Sequence, residues 1–261
     1  MPPSVDARCL TIGYGERAVL RDLSFTVEPG QMVGIVGPNG CGKSTLLKTI
    51  SGALRPLSGD LHLAGIAPSQ MDDRPRAQTV GYMGVGDACE FPFSVHETVL
   101  LGRLPWHAKW RPSTEDLDFV QSAIEAADLS HLAERPFFEL SAGERQRASF
   151  ARLLAQNPAV CLLDEPTAHQ DPAHAALVGR RMRDLAANGK AVLVVAHDLV
   201  WAFQHCPEIL ILSANGAMTR LRPNDEAAGE ALRRAFGMDF VLHKFGTDAV
   251  APIPDSMCEI R

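Results

Sequence analysis

The sequence predicts an α/β fold with a layer of buried strands and a mostly helical insertion. Three apolar runs, at 32–36, 159–163 and 191–196, have the length and composition of strands buried on both faces. Each run leads directly into residues that can carry chemistry. Between the first run and the second, residues from about 89 to 156 show helical spacing. Because ligands bind where the strands of such a sheet end, we expect the functional site at that edge.

The 261 residues suit one large domain, or one domain with a smaller lobe. Hydrophobic residues make up 46% of the chain, which is enough for a core, and the formal net charge is -6. This acidic balance argues against a nucleic-acid-binding surface. The six cysteines are scattered without a Cys-x-x-Cys pair, so we expect a reducing compartment with neither a disulfide framework nor a zinc ribbon.

The apolar runs are all shorter than the roughly 20 residues that a membrane-spanning helix needs. The N-terminus lacks the positively charged start and apolar block of a signal peptide. We therefore expect a soluble, cytosolic protein. If it acts at a membrane, another chain must hold it there.

Short apolar pieces between Ala7 and Val27 predict antiparallel strands, with turns at 13–16 and 28–30. Tyr14 lies in the first turn. A tyrosine in a turn is usually a half-packed surface ring, and the alternative is a flat platform for an adenine base. The residues alone favour the surface ring.

A glycine-rich loop follows the strand at 32–36, with four residues between two glycines and then Lys43 and Ser44. Glycines let backbone N–H groups surround a phosphate, and the N-terminus of the helix predicted at 45–50 adds partial positive charge. Lys43 supplies a full charge to the outer phosphates, and the Ser44 hydroxyl can bind Mg²⁺. The complete motif, with a strand before it and a helix after it, outweighs the alternative of an accidental glycine-rich turn. The predicted phosphate-binding residues are Gly37, Pro38, Asn39, Gly40, Cys41, Gly42, Lys43, Ser44 and Thr45.

Two further strands are predicted at 59–63 and 79–83, joined by a polar connection at 71–76. The helical insertion follows them. Within it, Ser113 and Asp116 form a capping pattern that predicts the start of a helix.

The insertion ends in a second candidate anion site. Ser141 and Glu144 form a capping box that opens a helix. Capping explains these two residues but not the small pair between them, Ala142 and Gly143. Small residues leave backbone N–H groups accessible at the positive end of a helix, which favours a bound anion.

Two acids, Asp164 and Glu165, follow the second buried strand. Buried charge is costly unless it is paired or bound to a metal. Asp164 is placed to orient the Mg²⁺ shell, and Glu165 to polarise a water that attacks a γ-phosphate; the alternative is two acids at a solvent-exposed strand end. His197 follows the third buried strand. A lone histidine there is most often a packing or surface residue, but its position at the same sheet edge favours a phosphate-facing role.

Asp171 and Pro172 predict the start of another helix, which Asn188 and Gly189 end. In the C-terminal part we predict a short helix at 226–236 and weak strands at 240–242 and 249–250. No chemical role is predicted for that part.

Taken together, these motifs resemble the nucleotide-binding subunit of an ATP-binding cassette transporter, over about residues 5–220. Residues 37–45 match its Walker A loop, 140–144 are a variant of its Leu-Ser-Gly-Gly-Gln signature, and 160–165 match Walker B with the catalytic glutamate. His197 matches its switch histidine. The resemblance implies a P-loop NTPase core of the RecA-like kind, with an antiparallel β subdomain, an inserted helical subdomain, and ATP and Mg²⁺ as cofactors.

The resemblance also implies the domain organisation. One ATPase domain is expected at 1–225, with its core at about 1–88 and 157–225 and its helical subdomain at about 89–156. Residues 226–261 are expected to form a C-terminal extension.

Several site residues gain roles only through the resemblance. Tyr14 becomes the aromatic residue that stacks on adenine, which reverses the preference for a surface ring, and Asp171 falls in the D-loop. Two subunits of the family pair head to tail. On that model Ser141, Gly143 and Glu144 bind the ATP of the partner subunit.

The resemblance implies ATP hydrolysis by in-line attack of water. Lys43 and His197 are expected to stabilise charge, Glu165 to polarise the water, and Ser44 and Asp164 to bind Mg²⁺, the latter through water. The implied partners are a second copy of the chain, integral-membrane permease subunits and, indirectly, a substrate-binding protein, with no nucleic acid. The implied location is the cytoplasmic face of the inner membrane.

A finer likeness concerns the segment Gly102-Arg103-Leu104-Pro105, which looks like the Gly-Arg-x-Pro segment of importers for iron-siderophores, heme and cobalamin. Three alternatives stay open. The chain could be the ATPase of a transporter for another cargo, a soluble cassette protein acting on ribosomes or DNA, or a non-hydrolysing ATP-binding switch.

One position departs from the family pattern. The Q-loop glutamine is expected where this chain has Val85, and valine cannot bind Mg²⁺ or hold a water. Asp87 or Glu90 could substitute in a rearranged loop. Phe91 and Phe93 are candidates for contact with the membrane subunit, and packing under the loop is an equal alternative.

Overall fold

A six-stranded sheet forms the centre of the computed structural model, which describes residues 2–84, 92–107, 111–245 and 249–255. The first part of the chain forms β1 (Val5–Tyr14), β2 (Arg17–Val27), β3 (Met32–Val36), α1 (Lys43–Ile50), β4 (Ser58–Leu63), α2 (Asp73–Thr79) and β5 (Val80–Met83). Three helices follow, α3 (Val95–Leu100), α4 (Thr114–Ala126) and α5 (Ala142–Gln156). The remainder forms β6 (Val160–Asp164), α6 (Pro172–Ala187), β7 (Ala191–Val195), α7 (Leu199–His205), β8 (Glu208–Leu212), β9 (Met218–Leu221), α8 (Ala228–Phe236), β10 (Phe240–Phe245) and β11 (Ala249–Pro254).

The central sheet has the strand order β5-β6-β7-β3-β8-β9. Its neighbouring strands are parallel except for the last pair, in which β9 runs antiparallel to β8. Successive side chains of a strand face opposite sides of the sheet, and this divides the core. Val33 and Ile35 of β3 join one hydrophobic cluster with β1, β2 and α1, whereas Met32 and Val36 join another with α5 to α8. The buried strands therefore have helices or a second sheet on both faces, as their continuous apolar runs predict.

A three-stranded antiparallel sheet, in the order β2-β1-β4, covers one side of the core. The predicted antiparallel strands between Ala7 and Val27 are thereby confirmed. The predicted turn at 13–16 is shorter than expected, because Tyr14 pairs with Arg17 and ends β1. Its side chain remains on the surface, 52% exposed.

The polar connection predicted at 71–76 contains a helix that the sequence analysis did not predict. This helix, α2, begins at Asp73, and the following strand begins at Val80. No residue of α2 is buried. The segment therefore lacks the apolar spacing by which a helix is recognised in a sequence.

The predicted helical insertion has its own hydrophobic cluster, formed by α3, α4, α5 and the turns between them. The predicted capping boxes are confirmed. At the start of α4, Ser113 Oγ accepts from Asp116 N at 3.2 Å, and at the start of α5, Ser141 Oγ accepts from Glu144 N at 3.3 Å. Capping works through neighbours in the sequence, so these helix starts are readable without tertiary information.

The Gly-Arg-x-Pro segment ties this insertion together through a buried ion pair. Arg103 Nε donates to Asp116 Oδ1 at 2.9 Å, and Arg103 Nη1 donates to the Ala155 carbonyl at 2.8 Å. The guanidinium also lies over the Phe119 ring, 4.2 Å from its centroid. Burial raises the pKa of Asp116, but hydrogen bonds from Ser113 and Arg103 outweigh this and lower the pKa to about 2. Asp116 is therefore ionised in the folded protein at neutral pH.

We expect Asp116→Asn to lower the free energy of unfolding by about 3–5 kcal/mol at pH 7, because it leaves the Arg103 charge buried without its partner. The Asp116 pKa is lower in the folded chain than in the unfolded chain. Its stabilisation is therefore present above the unfolded value of about 3.9 and is lost as the pH falls towards 2. Urea unfolding of both proteins across this pH range measures the difference. Asp118→Asn, at an exposed position of the same helix, should change stability little.

The C-terminal predictions are confirmed, with α8 at Ala228–Phe236 and the strands extended to Phe240–Phe245 and Ala249–Pro254. The two strands form an antiparallel hairpin. Ala228 and Leu232 of α8 are buried in the same cluster as α5 and α6, so this part of the chain packs onto the central core. Each helix in the described ranges is too short or too polar to serve as a membrane-spanning segment.

Candidate active site

The ends of three neighbouring strands meet at one edge of the central sheet. In the register, Val195 of β7 lies beside both Ile35 of β3 and Asp164 of β6. These strands lead into the glycine-rich loop, the two acids and His197. The fold thus brings together the residues that the sequence predicts at the strand ends, as expected for a sheet of this kind.

In the glycine-rich loop, the Lys43 ammonium is turned back onto the backbone. Lys43 Nζ donates to the carbonyls of Gly37 and Pro38 at 2.7 and 2.9 Å, and the residue is 6% exposed. Gly42 has φ 107° just before α1, and a Cβ there would lie 2.8 Å from Val19 Cγ1. Both its conformation and its surroundings require glycine. The loop therefore places a helix N-terminus and one ammonium around the same space, which favours an anion.

Asp164 is almost completely buried, at 2% exposure. Tyr82 Oη donates to its Oδ2 at 3.3 Å. Burial raises the pKa of Asp164, although hydrogen bonds from Ser44 and Tyr82 act in the opposite direction. Among the described residues, none makes a hydrogen bond to Oδ1.

A buried carboxylate oxygen without a hydrogen bond suits a cation or its bound water. The described ranges contain no group of three or more His, Cys, Asp and Glu side chains that could hold a metal by themselves. Ser44 and Asp164 instead fit the Mg²⁺ arrangement of nucleotide sites, in which phosphate and water supply the other ligands. The residues present therefore fit the predicted ion.

Glu165 and His197 form a close pair, with Glu165 Oε1 2.5 Å from His197 Nε2. The backbone of Glu165 has φ 54°, in the left-handed region that L residues rarely adopt. Its N–H donates to the Val195 carbonyl at 3.0 Å, and its own carbonyl accepts from Gln146 Nε2 at 2.7 Å. A cavity of about 390 Å³ opens beside Glu165 and His197, so water can reach the pair.

At the start of α5, the predicted second anion site is organised by hydrogen bonds between Ser141 and Glu144. Ser141 N donates to Glu144 Oε2 at 2.7 Å, and hydrogen bonds with Ser141 lower the pKa of Glu144. Ser141 Oγ accepts from Glu144 N, which leaves its O–H able to donate to another group. Gly143 lies against the loop after β6, because a Cβ there would be 2.9 Å from the His169 carbonyl oxygen.

Asp171 is the N-cap of α6, as predicted. Its Oδ1 accepts from Ala173 N and His174 N at 2.9 and 3.0 Å, and Oδ2 lies 2.6 Å from His174 Nδ1. The hydrogen bonds from His174 lower the pKa of Asp171. Both carboxylate oxygens thus have partners within the chain, and a nucleotide contact by Asp171 stays a prediction.

Val85, Asp87, Glu90 and Phe91 lie outside the described residues. Phe93 is described, and its carbonyl accepts from Phe137 N at 2.8 Å. Sequence reasoning missed Tyr82 and Gln146. The side chain of Tyr82 shares a sheet face with Asp164, because Tyr82 pairs with Leu162 and side chains alternate along β6. The role of Tyr82 can be recognised only when the strand register is known, and the role of Gln146 only when the position of α5 is known. Residue spacing in the sequence therefore predicts neither role.

The comparison with family models matches residues 20–168, over half of the chain, to the ABC transporter family. The hemin import ATP-binding protein HmuV of Pseudomonas fluorescens (strain Pf0-1) is 38% identical over 241 residues, covering 90% of this chain and 93% of that protein. HmuV of Pseudomonas aeruginosa (strain PAO1) is 39% identical over 243 residues, with coverage of 90% and 93%. HmuV of Myxococcus xanthus (strain DK1622) is 36% identical over 242 residues, with coverage of 90% and 90%.

Solved structures give the same picture. The inward-facing conformation of a metal-chelate type ABC transporter has a TM-score of 0.81 at 25% identity and covers 98% of this chain and 100% of that one. The dimeric post-hydrolysis structure of the ATP-binding cassette MJ0796, bound to ADP and Pi, has a TM-score of 0.74 at 26% identity, with coverage of 85% and 99%. The predicted α/β nucleotide-binding fold is thereby confirmed.

Proposed function

This chain belongs to the ABC transporter family and is the ATP-hydrolysing subunit of an importer, and we propose that the imported cargo is hemin. The observation that supports hemin as the cargo is the similarity to hemin import proteins, at 36–39% identity across about nine-tenths of the chain. The Gly-Arg-x-Pro segment agrees with this branch. Other iron chelates and cobalamin are the second candidates, because the same segment and a metal-chelate type transporter structure are compatible with them.

In the proposed mechanism, Lys43 exchanges the Gly37 and Pro38 carbonyls for the outer phosphates of ATP. Its two present hydrogen bonds keep the ammonium at the mouth of the loop, so a short movement suffices. Ser44, and Asp164 through a water, would hold Mg²⁺, which would neutralise charge on the phosphates. Tyr14, at the exposed end of β1, stacks on the adenine.

Glu165 orients and polarises the attacking water in this mechanism. His197 fixes the Glu165 carboxylate through their 2.5 Å contact and faces the γ-phosphate with its exposed side. The strained backbone of Glu165 supports a functional role, since such conformations persist where the surroundings enforce them.

The active form is a head-to-tail dimer. Ser141, Gly143 and Glu144 at the start of α5 then reach the ATP of the partner subunit, with the free O–H of Ser141 donating to a phosphate oxygen. Asp171 contributes to the same interface through the D-loop. The dimer is held at the cytoplasmic face of the inner membrane by permease subunits, which receive cargo from a substrate-binding protein.

The proposed domain division keeps one ATPase domain at 1–225, with a helical subdomain at about 89–156 and an extension at 226–261. The separate hydrophobic cluster of the helices supports the subdomain. The packing of α8 onto the central core supports an extension that is folded together with the ATPase domain.

The assignment of hemin as the cargo can be tested with the assembled transporter in liposomes. With hemin and the substrate-binding protein present, we expect ATP hydrolysis to rise several-fold over the rate without cargo. Cobalamin and a ferric siderophore are the matched controls and should have little effect. Stimulation by one of these controls but not by hemin would assign the transporter to that cargo instead.

A further inference from the structure

The left-handed backbone of Glu165 needs a cause within the structure. A non-glycine residue at φ 54° carries a conformational cost, so the neighbouring contacts must enforce it. Three hydrogen bonds do so. Glu165 N donates to Val195, and the Glu165 carbonyl accepts from Ala168 N at 3.1 Å and from Gln146 Nε2 at 2.7 Å.

Gln146 differs from the other two partners because it comes from a separate element. Val195 and Ala168 belong to the neighbouring strand and to the loop of Glu165 itself, whereas Gln146 lies on α5. That helix is firmly placed, since Phe150 and Leu153 pack in the central core and Ala151 in the core of the helical insertion. A side chain on such a helix can fix a loop that would otherwise relax.

A second contact joins the same two elements. Gly143, one turn before Gln146, approaches the His169 carbonyl so closely that a Cβ would be 2.9 Å from the oxygen. His169 also has a left-handed backbone, at φ 60°. The start of α5 therefore contacts the loop after β6 at both of its strained residues.

We propose that Gln146 is a positioning residue for Glu165. Its amide holds the Glu165 carbonyl and thereby directs the carboxylate towards His197 and the cavity beside them. The inference rests on the proposed role of Glu165 in hydrolysis. It also connects the α5 start, which serves the ATP of the partner, to the glutamate that acts on the ATP of its own subunit.

The test compares Gln146→Met, which keeps the length but removes the donor, with the wild-type full chain. We expect kcat for ATP to fall about tenfold, with KM and the affinity for a fluorescent ATP analogue within about twofold. Gln146→Lys, which restores an N–H donor, should recover at least a third of the lost rate. Gln146→Glu provides a second variant without a donor at neutral pH, should Gln146→Met fail to fold.

Gln156→Met is the matched control, since Gln156 Nε2 on the same helix also donates to backbone carbonyls, those of Ala77 and Val80 at 2.6 and 3.1 Å. It should lower the melting temperature and leave kcat within about twofold. Equal losses of kcat in Gln146→Met and Gln156→Met, or wild-type kcat in Gln146→Met, would overturn the inference. A wild-type chain without ATPase activity would instead refute the proposed function itself.

Discussion

Replacing Glu165 with Gln is expected to lower kcat for ATP hydrolysis by about 10²- to 10⁴-fold and to leave MgATP binding within about twofold. The amide keeps the size of the side chain and can still contact His197. It cannot polarise the attacking water or accept its proton. Steady-state phosphate release and equilibrium binding of a fluorescent ATP analogue, measured on the same preparations, separate the two effects.

Glu139→Gln is the matched control for this experiment. Glu139 is an exposed acid whose partner, Arg135, is also exposed, so its replacement should change neither kcat nor binding. Steady-state hydrolysis at the wild-type rate in Glu165→Gln would remove Glu165 from its assigned role.

Replacing Lys43 with Ala is expected to weaken MgATP binding by about two orders of magnitude or more, and to abolish hydrolysis with it. The substitution removes the one ammonium that the phosphate loop directs into the site. It also leaves the Gly37 and Pro38 carbonyls without their donor, so a modest loss of stability accompanies the loss of binding. Calorimetric titration measures the affinity, and thermal unfolding measures the stability.

Lys190→Ala controls for the loss of a lysine. Lys190 Nζ donates to the Asn157 carbonyl at 3.3 Å. Lys190 directly precedes β7, at the end of the strand opposite to the site. It should bind MgATP as the wild type does. If Lys43→Ala retained full affinity while Lys190→Ala behaved normally, the glycine-rich loop could not be the phosphate site.

The parts of the molecule that sequence reasoning recovered depend on local patterns. The buried strands were recognisable because their side chains are apolar on both faces, and the capping boxes at Ser113 and Ser141 because their partners lie three residues away. The sequence does not predict the helix α2, because the segment has no large apolar residues at helical spacing and none of its residues is buried. Its place is set by tertiary contacts, such as the hydrogen bond from Arg74 Nε to the Pro105 carbonyl at 2.8 Å.

In the site, too, the residues predicted from local sequence patterns differ from those that depend on tertiary contacts. The sequence predicts Asp164, Glu165 and His197 as site residues because they follow buried apolar runs. Burying a charged side chain without a partner is energetically costly, so such residues at these positions indicate a function. The residues that hydrogen-bond to these site residues are not recognisable in the sequence. Tyr82 reaches the site from a neighbouring strand 82 residues before Asp164, and Gln146 from the helix that precedes β6, 19 residues before Glu165. Both are ordinary residues for the elements that carry them.

All of the proposed chemistry requires a triphosphate with its magnesium ion between the glycine-rich loop and the carboxylates at the end of β6. Calorimetric titration of the wild-type chain with ATP, in Mg²⁺ and again in excess chelator, tests it most directly. We expect one nucleotide bound per chain, with weaker binding when Mg²⁺ is withheld. Absence of binding in Mg²⁺, or an affinity that Mg²⁺ does not change, would contradict it.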